Sequence, residues 1–139
     1  MKILALDDDE DVLKAVKIIL NLAGHEVHCV EDAAVAVDML QAVRYDLVLF
    51  DYRMPERDGI WFLRNARFPC GTKAVLMTAY GTRELIDRMF RLGAAGYLMK
   101  PFTADDLLRH VEFHAPASPG AEDRKQDSKA TDLQVTAAP

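Results

Sequence analysis

Acidic, hydroxyl and basic residues follow four short apolar runs of this 139-residue chain. They are, in chain order, Asp7 and Asp8, then Asp51, then Thr78, and finally Lys100. Carboxylates can hold a hard divalent cation, and a hydroxyl and an ammonium group can hold the oxygens of a phosphoryl group. If the four runs are buried parallel strands, these groups lie together at one edge of a sheet. The residue types therefore indicate phosphoryl chemistry on a carboxylate.

The spacing of apolar residues predicts the elements that would position these groups. Short apolar runs predict five strands, over residues 3–6, 26–30, 46–50, 73–77 and 95–99. Apolar residues at helical spacing predict helices over residues 12–23, 33–42, 58–67 and 82–92, and a last helix capped by Thr103. Strands that alternate with helices favour right-handed crossovers and a parallel sheet covered on both faces. We expect a doubly wound α/β sandwich with a five-stranded sheet.

Length and composition exclude several classes of function. A chain of 139 residues that is 50% hydrophobic is long enough for one domain with a sizeable core. Its net charge of -5, with both signs interspersed, offers no electrostatic surface for nucleic acid or an anionic membrane. The lack of a long apolar run or a signal-peptide core favours a cytoplasmic location. Cys29 and Cys70 have no metal-site or disulfide spacing, so we expect ordinary thiols.

The composition changes at Ala115. From there to the end, the segment contains proline, glycine, alanine and mixed charge, with Leu133 and Val135 as its large apolar residues. Such a segment cannot bury enough apolar surface to offset the entropy lost on ordering. We therefore expect a domain over residues 1–114, followed by a flexible tail or linker over residues 115–139.

Five short motifs at the predicted strand ends and in the loops that follow them resemble receiver domains of bacterial two-component response regulators, a family that includes the single-domain chemotaxis regulator. The motifs are Asp7-Asp8, Asp51-Tyr52-Arg53-Met54-Pro55, Asp58-Gly59, Thr78-Ala79 and Lys100-Pro101-Phe102. The resemblance covers residues 1–114 and implies a flavodoxin-like fold with strand order 2-1-3-4-5 and five helices. It also implies a signalling module, not an enzyme, that catalyses its own phosphorylation and dephosphorylation.

The same resemblance implies a nucleophile, a metal and a partner. Asp51 is expected to accept a phosphoryl group from a phosphohistidine of a sensor histidine kinase or a phosphotransfer protein. Asp8 and Asp51 are expected to coordinate Mg²⁺ directly, and the backbone carbonyl of Arg53 is expected to be a further ligand. Asp7 is expected to act largely through bound water. The family resemblance thus implies a receiver with Mg²⁺ as its cofactor.

Thr78, Lys100 and Tyr97 have expected roles in neutralising charge and in switching. Thr78 and Lys100 would stabilise the oxygens of the phosphoryl group, and Tyr97 would change rotamer as the Thr78 hydroxyl moves. Each residue also has a simpler interpretation: a strand-end hydroxyl bonded to backbone, a solvated lysine and a half-buried strand residue. Because these side chains follow several predicted strand ends at once, the sequence favours the functional interpretation.

Phosphorylation is expected to alter the surface formed by the fourth helix, the fifth strand and the fifth helix. This surface carries charges of both signs, on Arg83, Asp87, Arg88, Arg91, Asp105, Asp106 and Arg109. Mixed signs on a single face allow self-complementary pairing across a two-fold axis. A phosphorylation-promoted homodimer is therefore an expected output, without direct contact to nucleic acid or membrane.

Two other functions are compatible with parts of the pattern. A haloacid-dehalogenase-type phosphatase also uses an aspartate nucleophile, Mg²⁺, a hydroxyl and a lysine, but Asp7-Asp8-Asp9-Glu10 lacks the Gly-Thr of its motif and leaves Asp51 without a role. Alternatively, the chain is the N-terminal receiver of a longer transcription factor. The segment Thr78-Ala79-Tyr80-Gly81-Thr82 resembles such receivers, although nothing after Ala115 resembles an output domain.

Overall fold

The computed structural model describes residues 1–116, in which five strands alternate with five helices. The elements are β1 Lys2–Leu6, α1 Glu10–Leu22, β2 Glu26–Val30, α2 Ala33–Ala42, β3 Leu47–Asp51, α3 Gly59–Asn65, β4 Lys73–Thr78, α4 Arg83–Arg91, β5 Gly96–Met99 and α5 Ala104–Phe113. The strands pair in parallel in the order β2-β1-β3-β4-β5. The predicted doubly wound, flavodoxin-like sheet with strand order 2-1-3-4-5 is confirmed.

The central strands are buried because each contributes side chains to two apolar layers. Successive residues of a strand point to opposite faces of the sheet. Val48 and Phe50 of β3 therefore pack in the layer that contains α2 and α3, whereas Leu47 and Leu49 pack in the layer that contains α1 and α5. Burial on both faces makes the carboxyl end of β3 a rigid support for the residues that follow it.

The helices begin where short polar side chains cap their first turns. The cap residues of α1 to α5 are Asp9, Asp32, Asp58, Thr82 and Thr103. Asp58 and Thr82 were expected inside the third and fourth helices but lie just outside them, because their side chains accept hydrogen bonds from the free backbone N–H groups of the first turn. The predicted cap at Thr103 is present, and it forms a capping box with Asp106.

Two strands extend one residue further than the sequence indicates. Asp51 is the last residue of β3 and pairs with Met77, and Thr78 is the last residue of β4 and pairs with Met99. Both were expected to follow their strands. The parallel ladder includes them because it is governed by backbone hydrogen bonds, which do not depend on whether a side chain is apolar. Their positions are therefore held by the sheet itself.

Gly59 brings α3 close to the end of β3. A Cβ atom at this position would lie 2.9 Å from the carbonyl oxygen of Asp51 and 3.0 Å from the Cα atom of Tyr52. The Gly59 N–H donates to the Tyr52 carbonyl at 2.7 Å. Because the atoms approached are backbone atoms that cannot rotate away, glycine permits this close return of the chain beside Asp51.

Residues 117–139, most of the predicted tail or linker, lie outside the described residues. Within residues 1–116, no helix has the length and apolar character needed to cross a bilayer.

Candidate functional site

Three carboxylates meet at the carboxyl edge of the sheet. Asp7 follows β1, Asp51 ends the neighbouring strand β3, and Asp8 is next to Asp7 in the chain. Each offers a carboxylate oxygen, and these oxygens lie within 4.8 Å of one another. Asp7 is fully buried and Asp51 is 6% exposed, whereas Asp8 faces solvent. The structure thus brings together the three acids that the sequence singled out.

Lys100 enters this pocket from the far side of β4. It follows β5, and its ammonium nitrogen Nζ lies 2.6 Å from Oδ2 of Asp7 and 3.4 Å from Oδ2 of Asp51. The Lys100 backbone N–H donates to the carbonyl of Thr78 at 2.8 Å, which fixes the start of this side chain relative to β4. One ammonium group therefore faces two buried carboxylates. The solvated-lysine interpretation of Lys100 is wrong, because its side chain is only 17% exposed.

The pKa values of the two buried carboxylates, Asp51 and Asp7, are raised. Burial, followed by the charge of Asp7, raises the pKa of Asp51 from 3.8 to about 6, against the opposing effects of Lys100 and the Tyr52 N–H. Burial also raises the pKa of Asp7. For Lys100, burial favours a lower pKa, but the hydrogen bond and charge of Asp7 and the charge of Asp51 outweigh it, so its pKa is raised. At both buried carboxylates, the causes that raise the pKa therefore outweigh the neighbouring ammonium group.

The donor set of this pocket suits a hard divalent cation. Asp7, Asp8 and Asp51 offer carboxylate oxygens, which are the ligands preferred by Mg²⁺ and Ca²⁺, and the cluster includes no nitrogen or sulfur ligand. The exposed Asp8 leaves one side of the cluster open to solvent. A bound cation would also relieve the repulsion that raises the pKa of Asp51. The three acids therefore fit a site for such a cation.

The Thr78 hydroxyl is buried beside Asp51, one strand further along the sheet. Its oxygen Oγ1 accepts a hydrogen bond from the backbone N–H of Tyr80 at 2.9 Å. This is the backbone contact expected under the simpler interpretation of Thr78. A hydroxyl that accepts one bond still has its own hydrogen to donate. The contact therefore orients Thr78 and is compatible with a further role toward a phosphoryl oxygen.

Tyr97 lies in β5 and is half-buried, as the simpler interpretation expected. Its ring packs edge-to-face on Phe90 of α4, with 6.2 Å between the ring centroids. This contact places the Tyr97 ring between the sheet and α4, on the surface that is expected to change on phosphorylation.

One contact at the site was not anticipated. The guanidinium carbon Cζ of Arg53 lies 4.2 Å from the ring centroid of Tyr80. The sequence singles out Arg53 for its backbone carbonyl, and it does not predict that the Arg53 side chain contacts the ring of Tyr80. The available signal was positional: each residue lies two places beyond the last residue of a strand, Asp51 in β3 and Thr78 in β4, and those strands are neighbours.

Comparisons of sequence and comparisons of fold both match this chain to response regulators. The model of the response regulator receiver domain family matches residues 3–112. The regulatory protein AtoC of Escherichia coli (strain K12) is 37% identical over 107 residues, which are 76% of this chain and 23% of AtoC. Sporulation initiation phosphotransferase F of Bacillus subtilis (strain 168) is 30% identical over 116 residues, which are 83% of this chain and 94% of that protein.

The fold comparison includes chemotaxis response regulator CheY4 of Vibrio cholerae, with a TM-score of 0.76 and 29% identity over 81% of this chain and 97% of that one. The chain thus spans less than a quarter of AtoC but nearly the whole length of the phosphotransferase and of CheY4.

Proposed function

We propose that Asp51 is the phosphoacceptor of this chain. The chain belongs to the response regulator receiver domain family of two-component systems. Receiver domains are signalling modules and not classical enzymes, and the family match favours this function over a dehalogenase-type phosphatase. The receiver would extend over residues 1–114, with residues 115–139 as a tail or a linker to further chain.

The observation that carries the choice of Asp51 is the state of its carboxylate oxygens. Both oxygens of Asp7 accept short hydrogen bonds, Oδ2 from Lys100 at 2.6 Å and Oδ1 from the Asp9 N–H at 2.9 Å. Asp8 faces solvent. Asp51 uses Oδ1 to accept from the Tyr52 N–H at 2.8 Å, while its Oδ2 lies 3.4 Å from the Lys100 ammonium. Asp51 Oδ2 is thus a buried oxygen that lies near the Lys100 ammonium group without forming a short hydrogen bond with it.

The metal expected from the sequence is Mg²⁺, held directly by Asp8 and Asp51 and by the backbone carbonyl of Arg53. Asp7 would act largely through bound water, as the family resemblance implies, and each of its oxygens already accepts one hydrogen bond. When bound, the ion supplies positive charge beside the phosphoryl oxygens.

In the proposed reaction, Asp51 Oδ2 forms a bond to phosphorus as the bond from phosphorus to the phosphohistidine nitrogen of the donor breaks. The donor would be a sensor histidine kinase or a phosphotransfer protein. Lys100 and the Thr78 hydroxyl would hold the phosphoryl oxygens from two sides. Such transfers need little covalent assistance, so positioning and charge neutralisation account for most of the catalysis.

The proposed output is a change at the surface formed by α4, β5 and α5. Thr78 would move toward the phosphoryl group, and Tyr97 would change rotamer in response. This surface exposes Phe90 and Met99, at 38% and 41%, and carries paired charges such as Asp106 and Arg109, 2.6 Å apart. Apolar side chains among mixed charges suit a phosphorylation-promoted homodimer.

The homodimer is tested by sedimentation of the protein before and after labelling with a small phospho-donor in Mg²⁺. We expect the labelled protein to sediment as a dimer at concentrations where the unlabelled protein is a monomer. A monomer in both states would instead make another protein the partner of this surface.

The phosphoacceptor is tested by intact-mass measurement after incubation with acetyl phosphate. We expect a single phosphoryl group on Asp51 in Mg²⁺ and no labelling in excess chelator or in Asp51→Asn. Asp38→Asn, which removes an exposed carboxylate from α2, is the matched control and should be labelled normally. Undiminished labelling of Asp51→Asn, or repeated turnover of a phosphomonoester, would contradict the proposal.

A further inference from the structure

Arg53 and Tyr80 connect two loops beside the acidic pocket. Arg53 lies in the loop between β3 and α3, and Tyr80 lies in the loop between β4 and α4. The 4.2 Å distance from the guanidinium carbon to the ring centroid places the cation over the face of the ring. We call this pair the interloop contact.

The Tyr80 end of the interloop contact is anchored. The Tyr80 N–H donates to Oγ1 of Thr78, a fully buried residue at the end of β4. β4 in turn pairs with β3, where Asp51 is opposite Met77. Tyr80 therefore has a defined position relative to the strand end that carries Asp51.

The β3–α3 loop has bonds of its own, but they act within the loop. The Arg57 N–H donates to the Pro55 carbonyl, and the Gly59 N–H donates to the Tyr52 carbonyl, each at 2.7 Å. These bonds shape the loop without connecting it to the β4–α4 loop. The side chain of Arg53 makes that connection, through the ring of Tyr80.

We propose that the interloop contact positions the β3–α3 loop for cation binding, so that Tyr80 acts on metal affinity without touching the metal. The inference rests on the proposed function, in which the Arg53 carbonyl is a metal ligand. A ligand held near its bound position before the ion arrives loses less conformational entropy on binding. Tyr80 is in this sense a positioning residue.

The expected effect is modest, because both partners are largely exposed. Tyr80 is 48% exposed and Arg53 also faces solvent. Cation–π contacts at exposed sites contribute about 0.5–1 kcal/mol, which corresponds to a factor of about two to five in a dissociation constant. Losing the contact should weaken Mg²⁺ binding by that factor.

The test is the Mg²⁺ dissociation constant, measured from the dependence of the melting temperature on Mg²⁺ concentration. We expect Tyr80→Ala and Arg53→Ala each to raise it about two- to fivefold. The double variant should be no worse than either single variant, because both remove the same contact. Tyr80→Phe, which keeps the ring, should retain the affinity of the original chain.

Arg57→Ala is the matched control. It removes a second contact between a guanidinium group and a ring, 5.2 Å from Arg57 to Trp61, which joins the loop to the adjoining helix α3 and not to the β4–α4 loop. Its Mg²⁺ affinity should be unchanged. Equal losses in Arg57→Ala and Tyr80→Ala would overturn the inference, since a general loosening of the loop would then explain both.

Hydrogen exchange of the backbone amides of residues 52–58 in metal-free protein gives a readout that needs no metal or phosphoryl group. We expect Tyr80→Ala to speed this exchange about two- to fivefold. Normal Mg²⁺ binding by Tyr80→Ala would overturn this inference alone. Failure of the original chain to bind Mg²⁺ would overturn the proposed function and this inference with it.

Discussion

Lys100→Met is expected to slow the phosphorylation of Asp51 by about 10²- to 10³-fold. The ammonium group of Lys100 lies 3.4 Å from Asp51 Oδ2, where it would neutralise charge on the transferred phosphoryl group. Removing one preorganised group that stabilises such charge typically costs a factor of about 10²–10³ in rate. The rate is measured by intact mass against time with a small phospho-donor in saturating Mg²⁺.

The same substitution is expected to destabilise the metal-free fold. It leaves the fully buried Asp7 without the ammonium group that lies 2.6 Å from its Oδ2. Breaking a buried ion pair in this way costs about 3–5 kcal/mol when the remaining charge cannot be relieved. Because the pKa values of Asp7 and Asp51 are already raised, both acids can take up protons as the pH falls. The loss should therefore be greatest at about pH 8 and smaller at about pH 5.

Lys14→Met is the matched control, because Lys14 is an exposed residue of α1. It should change neither the labelling rate nor the unfolding free energy by a comparable amount. If Lys100→Met behaved like this control in denaturant unfolding at about pH 8, the ion pair with Asp7 would contribute nothing to stability.

Asp51→Asn is expected to stabilise the metal-free protein at neutral and alkaline pH. The pKa of Asp51 is raised by burial and by Asp7 from 3.8 to about 6, so its ionised form is disfavoured in the folded state. This rise in the pKa of Asp51 corresponds to a cost on the order of 3 kcal/mol. This cost is present above pH 6 and disappears as the pH falls below the unfolded value, where the carboxyl is protonated in both states.

The stability difference between Asp51→Asn and the original chain should accordingly shrink between about pH 7 and pH 4. Chemical unfolding at several pH values, in the presence of a chelator, measures it. With Mg²⁺ at about a hundredfold over its dissociation constant, the original chain should gain about 2.7 kcal/mol by mass action, and Asp51→Asn should lose most of this gain.

Asp106→Asn provides a control of opposite sign. The pKa of Asp106 is lowered, first by the hydrogen bond from the backbone N–H of Thr103, so its ionised form is favoured in the folded state. Such a group contributes stability above its unfolded pKa and loses it as the pH falls through the folded value. Asp106→Asn should therefore be less stable at neutral pH. If Asp51→Asn were destabilised in the same way, the pKa of Asp51 would not be raised in the folded protein.

Local sequence signals were sufficient to predict the elements, with their ends correct to within about two residues. The second strand is where the apolar pattern placed it, at Glu26–Val30, and Asp32 and Thr103 cap helices as predicted. Alternation along a strand, helical spacing and cap residues each depend on neighbours within a few positions, so they are visible in the sequence. Such patterns also placed Thr78 and Lys100 near strand ends.

The tertiary structure decided which of these ends face one another and at what distance. The strand order 2-1-3-4-5 was implied by family resemblance, since the residue pattern within a strand does not determine which strands pair with it. That order lets Lys100, beyond β5, reach Asp7, beyond β1, at 2.6 Å. It also brings Arg53 onto Tyr80 and raises the pKa of Asp51 to about 6. These are interactions between residues far apart in the chain, and their energies depend on distance and burial, which exist only once the sheet is assembled.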